Sequence, residues 1–170
     1  MPVREATEKL CRSCADVGVV VLFVPELPKT HVSGASRWIF ERPMIQLSLR
    51  YKTDDQLWFT FFHEAAHVLL HARGTYVDED RGASSADDSR EAEANDFAAA
   101  ALVPPAQLAE FVLANKPFSK AAIRTFASRI GVAPGVVVGQ LQHRDDLPRA
   151  YCNDLKVRIE DGLIDEFASR

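Results

Sequence analysis

Cysteine is scarce in this chain, and its three copies, Cys11, Cys14 and Cys152, make an odd count at no framework spacing. That excludes a disulfide-stapled secreted scaffold and fits a reducing cytoplasm, so cytoplasmic localisation is the expectation. Long hydrophobic runs are missing as well. A run such as Val19 to Val24 falls far short of the roughly 20 residues that span a bilayer. Met1 to Lys9 alternates charges without an apolar stretch and has no signal-peptide character. There is no basic excess: a net charge of −4 gives no electrostatic footprint for nucleic acid and no polybasic patch for a membrane. Internal repeats, low-complexity tracts and an interdomain linker are absent too. What is present is an ordinary globular composition, 47% hydrophobic and 26% charged. At 170 residues, a single domain (1–170) can bury about 70% of its unfolded surface without staples.

Hydrophobic spacing divides that domain into three parts: a helix and small sheet in 1–50, two long helices in 51–105, and a helical remainder in 106–170. Arg4 to Val17 has helical spacing and stops at Gly18. Val19 to Val24 reads as a buried strand, closed by Pro25. Two more strands are expected at 37–40 and 45–49, joined by a turn at Glu41-Arg42-Pro43, giving a sheet of three or so strands. The helix from Asp54 to His71 starts on Thr53 and Gln56, which fit a capping box, with Asp54 and Asp55 in its first turn. It is apolar nearly all round from Leu57 to Leu70, the mark of a central buried helix. Gly74 to Ser89 reads as a solvated loop or a lid. Helical spacing resumes near Asp88 and ends at Pro104-Pro105; three short helices follow at 105–115, 119–130 and 134–143. From Leu147 onward the signals are mixed. The fold class is α+β.

The chemistry sits on the central helix, in His63-Glu64-Ala65-Ala66-His67. Histidines four apart on a helix project from one face about a turn apart, so both imidazoles can grip one ion. Glu64 is then placed to deprotonate a water on that ion. A catalytic zinc takes three protein ligands and keeps a position for water. Arg90 to Ala98 offers the third: Glu91 and Asn95 share a face, so Glu91 can ligate while Asn95 orients a histidine. Glu93 points about 200° away from Glu91 around the helix and is the lesser candidate. The constellation suits amide hydrolysis with zinc, or with manganese. An oxyanion donor is needed, and His143, Tyr76 and Tyr151 are all candidates.

Other features carry less. Phe126 to Val137 has a helix-turn-helix look, but 134–141 offers no Arg, Lys or Asn to read bases, so a plain helical corner is expected. Cys11 and Cys14 read as half-buried helix residues; His71, two turns beyond His63 on nearly the same side, could bracket the site but reads first as a helix-end histidine favoured by the dipole. His31 reads as loop decoration, and Trp38 and Trp58 as core. If strand 37–40 forms a sheet edge, it could take an extended substrate by strand addition.

His63 to His71, followed by Glu91 to Pro104, resembles the ImmA/IrrE family of metallopeptidases, and the likeness extends through Ser33 to Trp38, Gln46 to Tyr51 and Gly135 to His143. The resemblance implies a zincin-like α+β fold with a glutamate third ligand. It also implies an endopeptidase whose partner is a helix-turn-helix repressor or antitoxin, in stress response, mobile-element or toxin–antitoxin regulation. The nearest branch looks like the peptidase domain often fused behind a helix-turn-helix module, which this chain lacks, so no direct nucleic-acid binding is expected. Lying in a family-like segment, His143 becomes the preferred oxyanion donor. The alternative is a metal-bound module that sequesters a repressor or toxin without cleaving it.

Overall fold

In the computed structural model, which describes residues 2–26, 32–71, 73–79 and 85–159, ten regular elements follow in order. They are α1 (Val3–Asp16), β1 (Val20–Phe23), β2 (Val32–Ile39), β3 (Arg42–Leu47), α2 (Asp54–Leu70), β4 (Thr75–Glu79), α3 (Ser85–Leu102), α4 (Pro105–Asn115), α5 (Lys120–Ile130) and α6 (Pro134–His143). A short 3-10 turn, Asn153–Leu155, comes after them. The class is α+β, with six helices and a four-stranded sheet among the described residues.

The sheet runs β1-β3-β2-β4, with β1 parallel to β3 and the other pairs antiparallel. The expected sheet of three or so strands has four. Three local expectations need correction, the first being that Thr75–Glu79 is a strand paired with β2 where a loop was expected. Residues 37–39 therefore lie in an inner strand, flanked by β3 and β4, and offer no edge for strand addition. The hairpin turn is also displaced, to Phe40–Glu41, with Phe40 at φ 53. Pro43 is consequently inside β3, opposite Trp38. In antiparallel ladders, pairs that exchange hydrogen bonds alternate with pairs that do not. Ile39 and Arg42 close the two-residue turn, so Pro43 falls on a pair that exchanges none, and the ladder with β1 begins only at Met44. A residue with no N–H is tolerated at such a place.

Helix α2 separates two cores. On one side Leu57 and Phe61 pack with Phe23, Ile45 and Leu47 of the sheet, and with partly buried residues of α1. On the other, Phe111, Ile123, Phe126, Val137 and Leu141 join α4, α5 and α6 around the end of α3. Trp58 and Phe62 touch both. No single helix among the described residues is long and apolar enough to cross a membrane. Helix α6, buried at every residue from Val136 to Val138 and from Gln140 to Gln142, is core and presents no reading face, in keeping with a helical corner.

The start of α2 departs from the expected capping box, since the Thr53 side chain makes no capping bond. The chain's distal segment does that work. Asp54 Oδ1 accepts from the amides of Asp55 (3.0 Å) and Val157 (2.9 Å), and the Asp54 amide donates to Val157 O. Lys156 Nζ lies 2.7 Å from Asp55 Oδ2 and donates to Gln142 Oε1 at 2.9 Å. Burial raises the Asp54 carboxyl above its usual range, against the pull of those amide bonds. Two glycines on α6 make room for the carboxylates: a Cβ on Gly135 would lie 2.5 Å from Asp54 Oδ1, and one on Gly139 would lie 2.9 Å from Asp55 Oδ2.

Gly135→Ala tests this packing through its sign. Alanine in a free helix gains about 0.5–1 kcal/mol over glycine. Here the clash should reverse that and cost about 1–3 kcal/mol, read as a lower midpoint in urea denaturation; a raised midpoint would contradict the packing.

Candidate metal centre

Burial on α2 decides which of its polar groups face inward. His63 is 2% exposed, Glu64 0% and His67 1%. Helix α3 comes close because it offers Ala94 and Ala98, both fully buried, on the face that carries its inward polar residues. This close approach sets Glu91 and Asn95 beside the histidines.

The result is three electron-rich atoms facing one another. His63 Nε2 is 3.1 Å from His67 Nε2, and the Glu91 carboxylate lies 3.1 Å from the first and 3.3 Å from the second. The other ring nitrogen of His63 is 3.0 Å from Asn95 Oδ1. An amide oxygen only accepts, so Nδ1 carries the proton and Nε2 is left with its lone pair. Burial, then the neighbouring imidazoles of His63 and His71, and then Arg90, lower the His67 pKa to about 4. His67 is thus neutral at physiological pH. Two imidazole lone pairs and a carboxylate at such range repel unless a cation stands among them. Tetrahedral bonds of about 2.0–2.2 Å imply donor separations of about 3.3–3.6 Å, close to those observed, so the donor set and its spacing fit a zinc-sized ion. Among the described residues, His63, His67 and Glu91 form the group able to hold one.

Glu64 lies between α2 and the sheet. A Cβ on Gly34 of β2 would sit 2.6 Å from both Glu64 Oε1 and Thr60 Cγ2, so glycine at this point is what lets the Glu64 carboxylate sit against the strand. Tyr76, on edge strand β4, stacks on the His67 ring at 4.7 Å between centroids and 12° between planes. Glu93 turns away from Glu91, as its helical angle requires, and reaches His71 instead, at 3.2 Å from Nε2. His71 in turn meets His67, with their Nδ1 atoms 2.9 Å apart. His71 does close α2, as a helix-end histidine should, but the lesser reading, that it brackets the site, is the one this contact fits. The four-residue spacing from His67 was a visible hint of it, whereas nothing local pointed to Glu93.

A cavity of about 370 Å³ opens between α2 and α6; it reaches Asn95, the partner of His63, while His63, Glu64, His67 and Glu91 are not among its lining residues. Phe59, Thr60 and Gln56 of α2, Ser33 of β2, Asn95 of α3, Gln140 of α6 and Arg149 line it. His143 lines it too, at the end of α6, with its ring 6.0 Å from Phe59, which is itself 6.3 Å from the His63 ring. His143 thus faces the cleft one aromatic ring removed from the histidine pair. Tyr151 is exposed on the segment after α6, and His31 lies outside the described residues. Cys11 and Cys14 are free and pack against the sheet-side core, where burial pushes both thiols up, as suits inert packing residues.

The family model described as the IrrE N-terminal-like domain, a peptidase family, matches residues 14–142. That span holds all four strands, both helices of the candidate centre and nearly all of α6. No curated protein matches the chain.

Zinc titration against a chromophoric chelator should show one tight site per chain. His63→Ala, His67→Ala and Glu91→Ala should each weaken it at least about 100-fold, as loss of a direct ligand requires more than the 10–100-fold of an outer partner. Glu64→Gln should leave it intact. Full affinity in His67→Ala would contradict the assignment.

Proposed function

As the chain belongs to the IrrE N-terminal-like family of peptidases, we propose that it is a zinc-dependent endopeptidase cutting one peptide bond in a specific protein partner, a helix-turn-helix repressor or antitoxin. The observation that carries the chemistry is the convergence of His63 Nε2, His67 Nε2 and the Glu91 carboxylate within 3.3 Å. Three protein donors leave one tetrahedral position over, the arrangement of a hydrolytic site and not of a structural one. The partner's identity rests on the family likeness and on the acidic balance of the chain (net charge −4), which disfavours direct action on nucleic acid.

When bound, zinc supplies Lewis acidity toward the scissile carbonyl and a lowered water pKa. Manganese is the other ion that this nitrogen and oxygen set accepts. Glu64 takes the proton of the attacking water on its carboxylate and delivers it to the leaving amine nitrogen, so one group serves as base and then as acid. Its full burial against Gly34 keeps it from being levelled by bulk water. Asn95 holds His63 in the tautomer that exposes Nε2. The cleft between α2 and α6 seats the substrate on either side of the bond. His143, on its wall, donates an N–H to the tetrahedral oxyanion.

The test uses the zinc-loaded chain and the helix-turn-helix protein encoded beside it, followed by mass spectrometry. A single defined cut is expected, and Glu64→Gln should slow it by about 10²–10⁴-fold, the usual share of a general base, while holding its zinc. Cutting at the wild-type rate by Glu64→Gln would overturn the mechanism. A partner that binds tightly and is never cut would favour sequestration without cleavage.

A further inference from the structure

The outer side of His67 carries an arrangement that the proposed reaction has not used. His67 Nδ1 lies 2.9 Å from His71 Nδ1, and His71 Nε2 lies 3.2 Å from Glu93 Oε2. His71 is the residue that ends α2, with extended backbone (φ −104, ψ 160), and its side chain is 5% exposed. Tyr76 covers both rings, stacked on His67 and tilted at 49° to His71 with centroids 5.7 Å apart.

Proton placement in this row is constrained by its ends. A carboxylate only accepts, so the atom of His71 facing Glu93, Nε2, carries a hydrogen. A neutral imidazole has one N–H, which leaves His71 Nδ1 as an acceptor. The hydrogen between the two histidines therefore belongs to His67 Nδ1, and His67 Nε2 is left with the lone pair that faces His63 and Glu91. Were His71 to donate from both nitrogens, His67 would have to accept at Nδ1, and its neutral ring would then present a hydrogen to the ion.

We propose that Glu93 and His71 are positioning residues which, in series, fix the tautomer and orientation of His67 and raise its strength as a ligand. The two histidines of the centre are thus supported unequally. His63 leans on one neutral amide, that of Asn95, while His67 is backed by a carboxylate relayed through a second imidazole. Partners that bond the far nitrogen of a ligating histidine typically change metal affinity by 10–100-fold. Glu93 is 59% exposed on its side chain, so solvent screening places its own effect near the lower end of that range. The inference rests on His67 being a ligand, and the experiment separates the two.

Zinc affinity is measured by chelator competition for the wild type, Glu93→Gln, His71→Phe, the double variant, Glu93→Asp and His67→Ala, with the thermal midpoint of each apo protein recorded alongside. Glu93→Gln should weaken zinc about tenfold with an unchanged apo midpoint, and Glu93→Asp should recover part of that loss. His71→Phe should weaken it at least as much, and Glu93→Gln should then add nothing in the His71→Phe background. Cobalt-loaded Glu93→Gln should also shift its visible d–d bands, which a merely structural role would leave in place. Wild-type zinc affinity in Glu93→Gln, or an undiminished effect of Glu93→Gln in the His71→Phe background, would overturn the relay. Wild-type affinity in His67→Ala would instead overturn the ligand assignment beneath it.

Discussion

Two imidazole lone pairs and a carboxylate held within 3.3 Å of one another are a liability in a protein interior unless a cation joins them. Much of the architecture can be understood as the means of holding them there. Helix α2 is gripped on both sides, by the sheet through Leu57 and Phe61 and by α4, α5 and α6 through Trp58 and Phe62. A helix fixed along its length cannot swing its histidines apart. Small residues at the contacts, Ala94 and Ala98 on α3 and Gly34 on β2, set how closely the neighbours approach. A second polar network, of Asp54, Asp55 and Lys156, anchors the same helix at its start.

The α+β class, the central helix and the inward face of α3 were legible because they depend on local periodicity. His63 and His67 are one turn apart by helix geometry alone, and so are Glu91 and Asn95; the structure had only to bring the two pairs together. The same angular argument that turns Glu93 away from Glu91 is what delivers it to His71. The family likeness to ImmA/IrrE peptidases, read from the segments around these residues, agrees with the match over residues 14–142.

What could not be read was non-local. Thr75, Tyr76 and Val77 favour a strand, but Gly74 before them and the acidic Asp78 and Glu79 after them leave a run too short to announce itself; it is a strand because β2 offers it an edge. Pro43 suggested a turn, yet it lies in β3 at a register where its missing N–H costs no ladder bond. Thr53 and Gln56 had the spacing of a capping box, but the amides at the helix start are served by Asp54 and a segment about a hundred residues away. The glycines on α6 answer a packing requirement set by two carboxylates on another helix.

The central claim is an open, three-ligand metal centre made by His63, His67 and Glu91. The most direct measurement is a crystal structure of the zinc-soaked protein with anomalous data collected at the zinc edge. The account predicts one peak bonded to both Nε2 atoms and to the Glu91 carboxylate at about 2.0–2.2 Å, with a solvent oxygen in the fourth position. Zinc elsewhere, or a closed shell of four protein ligands, would contradict it.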